Sequence, residues 1–253
     1  MPKFLLAAVA CLAGAVGAAA AADAPAAART PEQIVADAIH AIAPKVKISA
    51  VEQAGLPGFY QVVADGRVIY VSTDGRYLIE GDVYDLKTGT SISEARTAMM
   101  VKAALDAVPA SKRVIFAPPD PKYRVVVFTD PDCPFCRKLH SHIQDFLKAG
   151  IAVEYLAFPR SGLYTPSYDK AVSVWCAKDP REALTRAMAG YDIPARTCDN
   201  PVAEEYTLGA RIDLPGTPTV FSPDGHILGG YMTPDELLKK LQQPDAAPAK
   251  AGG

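Results

Sequence analysis

Tyr123-Arg124-Val125-Val126-Val127-Phe128-Thr129-Asp130-Pro131-Asp132-Cys133-Pro134-Phe135-Cys136 decides the fold of this chain. Its first seven residues make the apolar, β-branched run that a strand buried on both faces requires. Pro131-Asp132-Cys133-Pro134 then opens a helix, because proline at the first helical position gives up an N–H that has no partner there. The helix is expected to reach Lys148 and end at Gly150, and Val153 to Phe158 supplies the next strand. The unit reads β-α-β.

Cys133 and Cys136 sit where that strand meets that helix. A cysteine at a helix N-terminus faces unpaired backbone N–H groups and the positive end of the dipole, and both stabilise the thiolate. Such thiols ionise with pKa values of about 3.5 to 7.5, against about 8.5 for a free cysteine. Cys133 is therefore the expected nucleophile. Cys136, one turn later on the same face, is the expected resolving thiol, more buried and less ionised. The same spacing is half of a zinc site, which needs two further ligands. Cys176 and Cys198 do not repeat the spacing, and of His140 and His142 only His140 shares the face of Cys136. Histidines in such positions are ordinarily surface residues, so no metal and no cofactor is assigned.

Beyond the β-α-β unit, residues 166 to 208 read as mostly helical, followed by a strand at Thr219 to Phe221, the turn Ser222-Pro223-Asp224-Gly225, a strand at Ile227 to Leu228 and a helix capped by Thr233. Thr217-Pro218 opens the first of these strands. X-Pro bonds are cis in only about 5 to 6% of cases in folded proteins, so a trans proline at a strand edge is the plain reading. A cis proline beside a C-x-x-C would instead leave the Thr217 backbone free to pair with an extended substrate and would keep metals from the thiols. Cys176 and Cys198 remain. A structural bridge is favoured over two buried thiols or a pair that shuttles with Cys133 and Cys136, and a loop of this length contributes about 3.4 kcal/mol in the chain-entropy model.

Towards the N-terminus, Ser91-Ile92-Ser93-Glu94 offers a capping box for a helix from Ile92 to Val108, read as a connector whose Met99, Val101 and Leu105 can pack on either neighbour. From Val46 to Leu86 the apolar period is two, punctuated by Asp65-Gly66, Asp74-Gly75 and Lys87-Thr88-Gly89, which is the pattern of an antiparallel meander. A helix capped by Thr30 precedes it, with Ile34, Val35, Ala38, Ile39 and Ile42 as its apolar stripe. So small a core makes self-association through an edge strand a reasonable expectation. The first residues, with Lys3, an apolar run from Phe4 to Gly17 and Ala20-Ala21-Ala22, read as a cleaved secretory signal. Cys11 as a lipid-attachment site is the competing reading, but Ala8-Val9-Ala10 lacks the usual leucine. Of five cysteines, cleavage removes Cys11 and leaves an even set in a compartment where disulfides persist. Lys+Arg 26 against Asp+Glu 28 gives a net charge of -2, so nothing electrostatic draws the chain to nucleic acid or anionic lipid. No stretch beyond the signal has the roughly 20 apolar residues of a bilayer span, so no stable membrane insertion is expected.

Several motifs in order then carry a resemblance. Val127-Phe128-Thr129-Asp130 leads into the C-x-x-C, and Lys138-Leu139-His140, Tyr155-Leu156-Ala157-Phe158-Pro159-Arg160, Trp175-Cys176-Ala177-Lys178-Asp179 and Gly216-Thr217-Pro218 follow it. The chain resembles the DsbC/DsbG family of periplasmic disulfide isomerases over essentially its whole mature length, most weakly before residue 90. The resemblance implies an α+β protein with a signal peptide over 1–22, a cystatin-like dimerisation domain over 23–90, a linker helix over 91–111, a thioredoxin fold with a helical insertion over 112–245 and a flexible tail over 246–253. It implies a V-shaped homodimer whose apolar cleft holds misfolded disulfide-containing secreted proteins, re-reduced by a membrane-bound thiol reductant of the DsbD type. The family's nucleophile carries over to Cys133, its resolving thiol to Cys136, its cis-proline pair to Thr217 and Pro218, and its structural disulfide to Cys176 and Cys198. Pro134-Phe135 departs from the Gly-Tyr of the best-known members and leaves a DsbG-like reductase and chaperone or a dithiol oxidase as alternatives to an isomerase. A pure holdase chaperone is a further one. The Cys176/Cys198 pair favours the DsbC side.

Overall fold

The computed structural model describes residues 29–243; the expected signal segment and the expected tail lie outside the described residues. Helix α1 (Pro31–Ile42) starts on a full capping box between Thr30 and Gln33. It lies on a four-stranded antiparallel meander of β1 (Ile48–Gln53), β2 (Phe59–Ala64), β3 (Arg67–Ser72) and β4 (Leu78–Glu80), in that spatial order. The β2–β3 turn has both central residues, Asp65 and Gly66, at positive φ, as a two-residue hairpin loop requires. Val35 and Ile39 close the small core over Tyr60, Val62, Ile69 and Val71. Ile42, expected to continue the helix stripe, is 75% exposed because the helix ends there, beyond the edge of the packed face.

A two-stranded ribbon, β5 (Tyr84–Asp85) and β6 (Thr90–Ser91), leads into α2 (Ile92–Asp106). Half of the expected capping box forms: the Ser91 hydroxyl accepts from the Glu94 N–H, while the Glu94 carboxylate turns to His226, 3.5 Å away. Val101 and Leu105 pack on the sheet that follows rather than on the meander, and Met99 is exposed.

The second sheet has the order β11-β10-β8-β9-β7. Its strands are β7 (Val114–Phe116), β8 (Tyr123–Thr129), β9 (Ile151–Ala157), β10 (Thr219–Phe221) and β11 (Ile227–Gly229). Strands β8 and β9 are parallel and the other pairings antiparallel. Alternation along β8 builds two cores. Val125 and Val127 face a cluster formed with α3 (Pro134–Ser141), α4 (Ile143–Lys148), α6 (Pro180–Met188) and α8 (Pro234–Gln242). Val126 and Phe128 face α2 and α7 (Val202–Arg211). The chain is α+β, and the second unit has the thioredoxin fold.

One expectation about helices needs correction. The helix after Cys133 is not continuous to Lys148: it breaks at His142, whose backbone (φ -97, ψ 13) ends α3 and starts α4. No glycine or proline marks that break. The insertion is α5 (Pro166–Trp175), α6 and α7, but residues 189–201 are irregular, held by a Cys176–Cys198 disulfide.

Gly225, in the β10–β11 turn at φ +86, is where α2 seats most closely; a Cβ there would lie 2.1 Å from the Ala98 carbonyl oxygen and 2.6 Å from the Lys102 nitrogen. Gly58 has a similar φ of +79 but open space around it. Urea unfolding is expected to show Gly225→Ala losing clearly more stability than Gly58→Ala. The latter should cost only the left-handed backbone term of about 1–2 kcal/mol.

Candidate active site

Cys133 occupies the N-cap of α3 and Pro134 its first position. Asp130 shapes the loop before it. This carboxylate, 1% exposed, accepts from the Asp132 N–H at 2.8 Å, the Ser167 hydroxyl at 2.7 Å and the Arg160 N–H at 3.0 Å, and so ties the loop to α5 and to the segment after β9. The Asp130 carbonyl in turn accepts from the Cys133 N–H at 3.0 Å. On the rim, Asp132 pairs with Arg137 and Lys170, and Phe135 stands 60% exposed between the cysteines.

Thr217-Pro218 is a cis peptide. Pairing of β10 with β8, with Thr219 opposite Phe128, carries it to the head of α3. There the Cys133 thiol donates to the Thr217 carbonyl at 3.1 Å. The structure thus brings together Cys133, Cys136, Thr217 and Pro218, and leaves both thiols free. It places Cys176 and Cys198 apart from them, bonded at the end of α5 with Cα atoms 5.6 Å apart.

The two thiols differ in chemistry although neither is open to solvent. Burial pushes Cys133 up, but the Thr217 side chain, the Cys136 backbone and thiol, and the Phe135 backbone outweigh it and hold the thiol below its ordinary value. Cys136 lies deeper. Burial pushes it up to about 12, against hydrogen bonds from the Thr129 side chain, the Asp130 backbone and the Thr217 side chain, while charge on Cys133 raises it further. One sulfur is poised to attack and the other is held in reserve.

His140, expected at the surface, is 3% exposed. Its ring nitrogens lie 3.1 Å from the Tyr155 hydroxyl and 3.0 Å from Thr185 Oγ1, and burial lowers its pKa to about 4. The turn of helix carrying it is covered by α6, which no local pattern could show. Thr129, Asp130 and Tyr155 belong to the motifs that carry the family resemblance, but the sequence assigned none of them a place at the site. Glu205 is another buried acid. It accepts from the Ala157 N–H at 2.6 Å, and burial pushes its pKa up to about 8.

A free C-x-x-C at a helix N-terminus, facing a cis proline across a thioredoxin sheet, defines a thiol:disulfide oxidoreductase. A thioredoxin-like domain model matches residues 113–244, and the model described as the disulfide bond isomerase protein N-terminal domain matches residues 18–94. The thiol:disulfide interchange protein DsbC of Escherichia coli is 34% identical over 198 residues, spanning 78% of this chain and 83% of that protein. That of Haemophilus influenzae is 32% identical over 195 residues, spanning 76% and 83%. A crystal structure of a disulfide interchange protein from Neisseria gonorrhoeae is 32% identical, covering 54% of this chain and 100% of that one with a TM-score of 0.48. The chain belongs to the DsbC family of thiol:disulfide interchange proteins.

Two measurements check these electrostatics. Brief alkylation of the reduced protein at pH 7 is expected to modify Cys133 alone, with Cys136 reacting only after denaturation; equal labelling by mass spectrometry would refute the asymmetry. Glu205, raised from 4.5 to about 8, binds its proton more tightly folded than unfolded, so its contribution to stability is present below about pH 4.5 and is lost as pH rises towards 8. His140, lowered to about 4, acts oppositely, losing stability as pH falls below 6.5. Between about pH 6.5 and 8 the decline belongs to Glu205, and the melting temperature of Glu205→Gln is expected to fall less over that window.

Proposed function

We propose that the protein is a periplasmic disulfide isomerase in which Cys133 attacks non-native disulfides of secreted clients. The observation that carries this reading is the unequal pair of free thiols, with Cys133 held below its ordinary pKa and Cys136 far above it. The Cys133 thiolate attacks one sulfur of a client disulfide, and the other leaves as a thiolate. A client thiolate then displaces Cys133 and leaves a rearranged bridge. If none arrives, Cys136 attacks the Cys133 sulfur, releases the client thiolate and leaves Cys133–Cys136 oxidised. Thr217 and Pro218 line the position where an extended client segment pairs.

Isomerisation consumes the reduced form only when Cys136 intervenes, so a thiol reductant of the membrane-bound DsbD type restores it. Residues 1–22 serve as the export signal, 23–90 as the dimerisation domain, 91–111 as the linker and 112–245 as the catalytic domain. Cys176–Cys198 is structural, fastening the insertion. Homodimerisation is supported by β4, an edge strand with Leu78 and Ile79 exposed, and the cleft between the two copies gives the protein its chaperone activity. Among the described residues, no helix is long and apolar enough to cross a membrane.

Refolding of a scrambled multi-disulfide protein is expected to be lost in Cys133→Ser. Cys136→Ser should instead accumulate mixed disulfides with clients, visible on non-reducing gels. Thiol trapping in cells should find Cys133 and Cys136 reduced; a pair found oxidised would mark a dithiol oxidase.

A further inference from the structure

The rim beside Cys133 carries an unbalanced charge that the chemistry above leaves unused. Asp132, the residue immediately before the nucleophile, accepts from Arg137 Nη2 at 3.2 Å and from Lys170 Nζ on the same oxygen, Oδ1. Both cations are fixed in place. Arg137, one turn into α3, donates through Nε to the Pro131 carbonyl at 2.6 Å, and its backbone N–H bonds the Cys133 carbonyl at 3.0 Å. Lys170 follows Ser167 by three residues on α5, so it lies on the helix face that Ser167 ties to Asp130 at 2.7 Å. All three side chains of the trio are more than a third exposed.

Two positive groups on one carboxylate leave a surplus of one. Among the described residues, neither Arg137 nor Lys170 has a second carboxylate within 4.0 Å. The other charges near the motif do not cancel that surplus. Arg160 is matched by Asp130 at 3.4 Å. Lys138 lies 4.4 Å over the Tyr231 ring, and Glu236, the acid that acts on it, is also the capping partner of Thr233. The chain as a whole has a net charge of -2, so the positive rim is local to the nucleophile. Local charge of one sign beside a reacting group selects partners of the other sign.

We propose that Arg137 and Lys170 form an anion-reading subsite, through which Cys133 prefers client disulfides flanked by Asp or Glu to those flanked by Lys or Arg. The subsite rests on the role given above to Cys133 and names the substrate class of that reaction. Capture bonds the Cys133 sulfur to one client sulfur, and the other client sulfur leaves as a thiolate with the electron pair of the broken bond. A carboxylate next to the captured cysteine then meets the surplus charge. Asp132 sets its strength. By cancelling one of two cations it leaves an attraction that biases encounter without holding the product, which suits a protein that must release each client.

The test uses three small disulfides of different charge on the reduced full-length protein. At pH 7 glutathione disulfide carries one net negative charge on each half, cystamine one positive charge, and hydroxyethyl disulfide none. Acid quenching and mass spectrometry give the rate of capture at Cys133, and each charged probe is expressed as a ratio to the neutral one, which removes any change in thiolate reactivity. Lys170→Gln is expected to lower the glutathione disulfide ratio about threefold and to raise the cystamine ratio about threefold, the effect of one unit charge met at about 7 Å in water. Lys170→Arg should keep both parent ratios, and Asp132→Asn should move them in the opposite sense from Lys170→Gln. In about 1 M salt, where the Debye length is about 3 Å, the parent ratios should approach those of Lys170→Gln. Unchanged ratios in Lys170→Gln overturn the subsite, and so does a change of all three probes by one common factor, which would mean that the lysine acts on the thiolate alone. A parent protein that captures none of the three probes at Cys133 overturns the nucleophile assignment itself, a failure seen in the absolute rates rather than in their ratios.

Discussion

The Cys133 thiol meets the Thr217 carbonyl across 84 residues of sequence, and most of the C-terminal unit exists to make that meeting possible. Strand β10 must return beside β8 in the register that sets Thr219 opposite Phe128, or Thr217 misses the head of α3. Everything between β9 and β10 is an excursion from the sheet, and a long excursion threatens register through its entropy. Three fasteners limit that freedom. Asp130 holds α5 and the segment after β9 through Ser167 and Arg160, Glu205 holds α7 to β9 at Ala157, and the Cys176–Cys198 bridge closes the irregular stretch between them.

The same meeting sets the chemistry. A protein that lowers both thiols stabilises its reduced form and holds its electrons too tightly, and one that raises both cannot attack. Here a difference of three residues places one sulfur at the helix mouth and the other in the core. The surroundings push the two in opposite directions.

Much of this was legible in the chain because its signals are local. Cys133-Pro134 marks a helix start by itself, Asp65-Gly66 marks a hairpin, and Thr233 caps α8 in a box with Glu236. Thr217-Pro218 could be noticed, but whether it reached the cysteines depended on strand pairing. What escaped was set by partners distant in sequence. His140 looks like a surface residue until α6 covers it, and Glu205 looks like a polar-face acid until its partner, Ala157, is found 48 residues away. The break at His142 has no residue signature, because tertiary packing on either side of it, rather than propensity, bends the chain there.

Helix α2 was read as a spacer, and its fastening at both ends defines what kind. At its start Ser93 is bonded to Asp82 and Val83, and Arg96 reaches Glu52 of β1. At its end Arg113 grips the Leu105 and Val108 carbonyls while Val101 and Leu105 sink into the catalytic sheet. A rod pinned at both ends is a strut. Its 15 residues fix a span of about 22 Å at 1.5 Å per residue between those two fastenings.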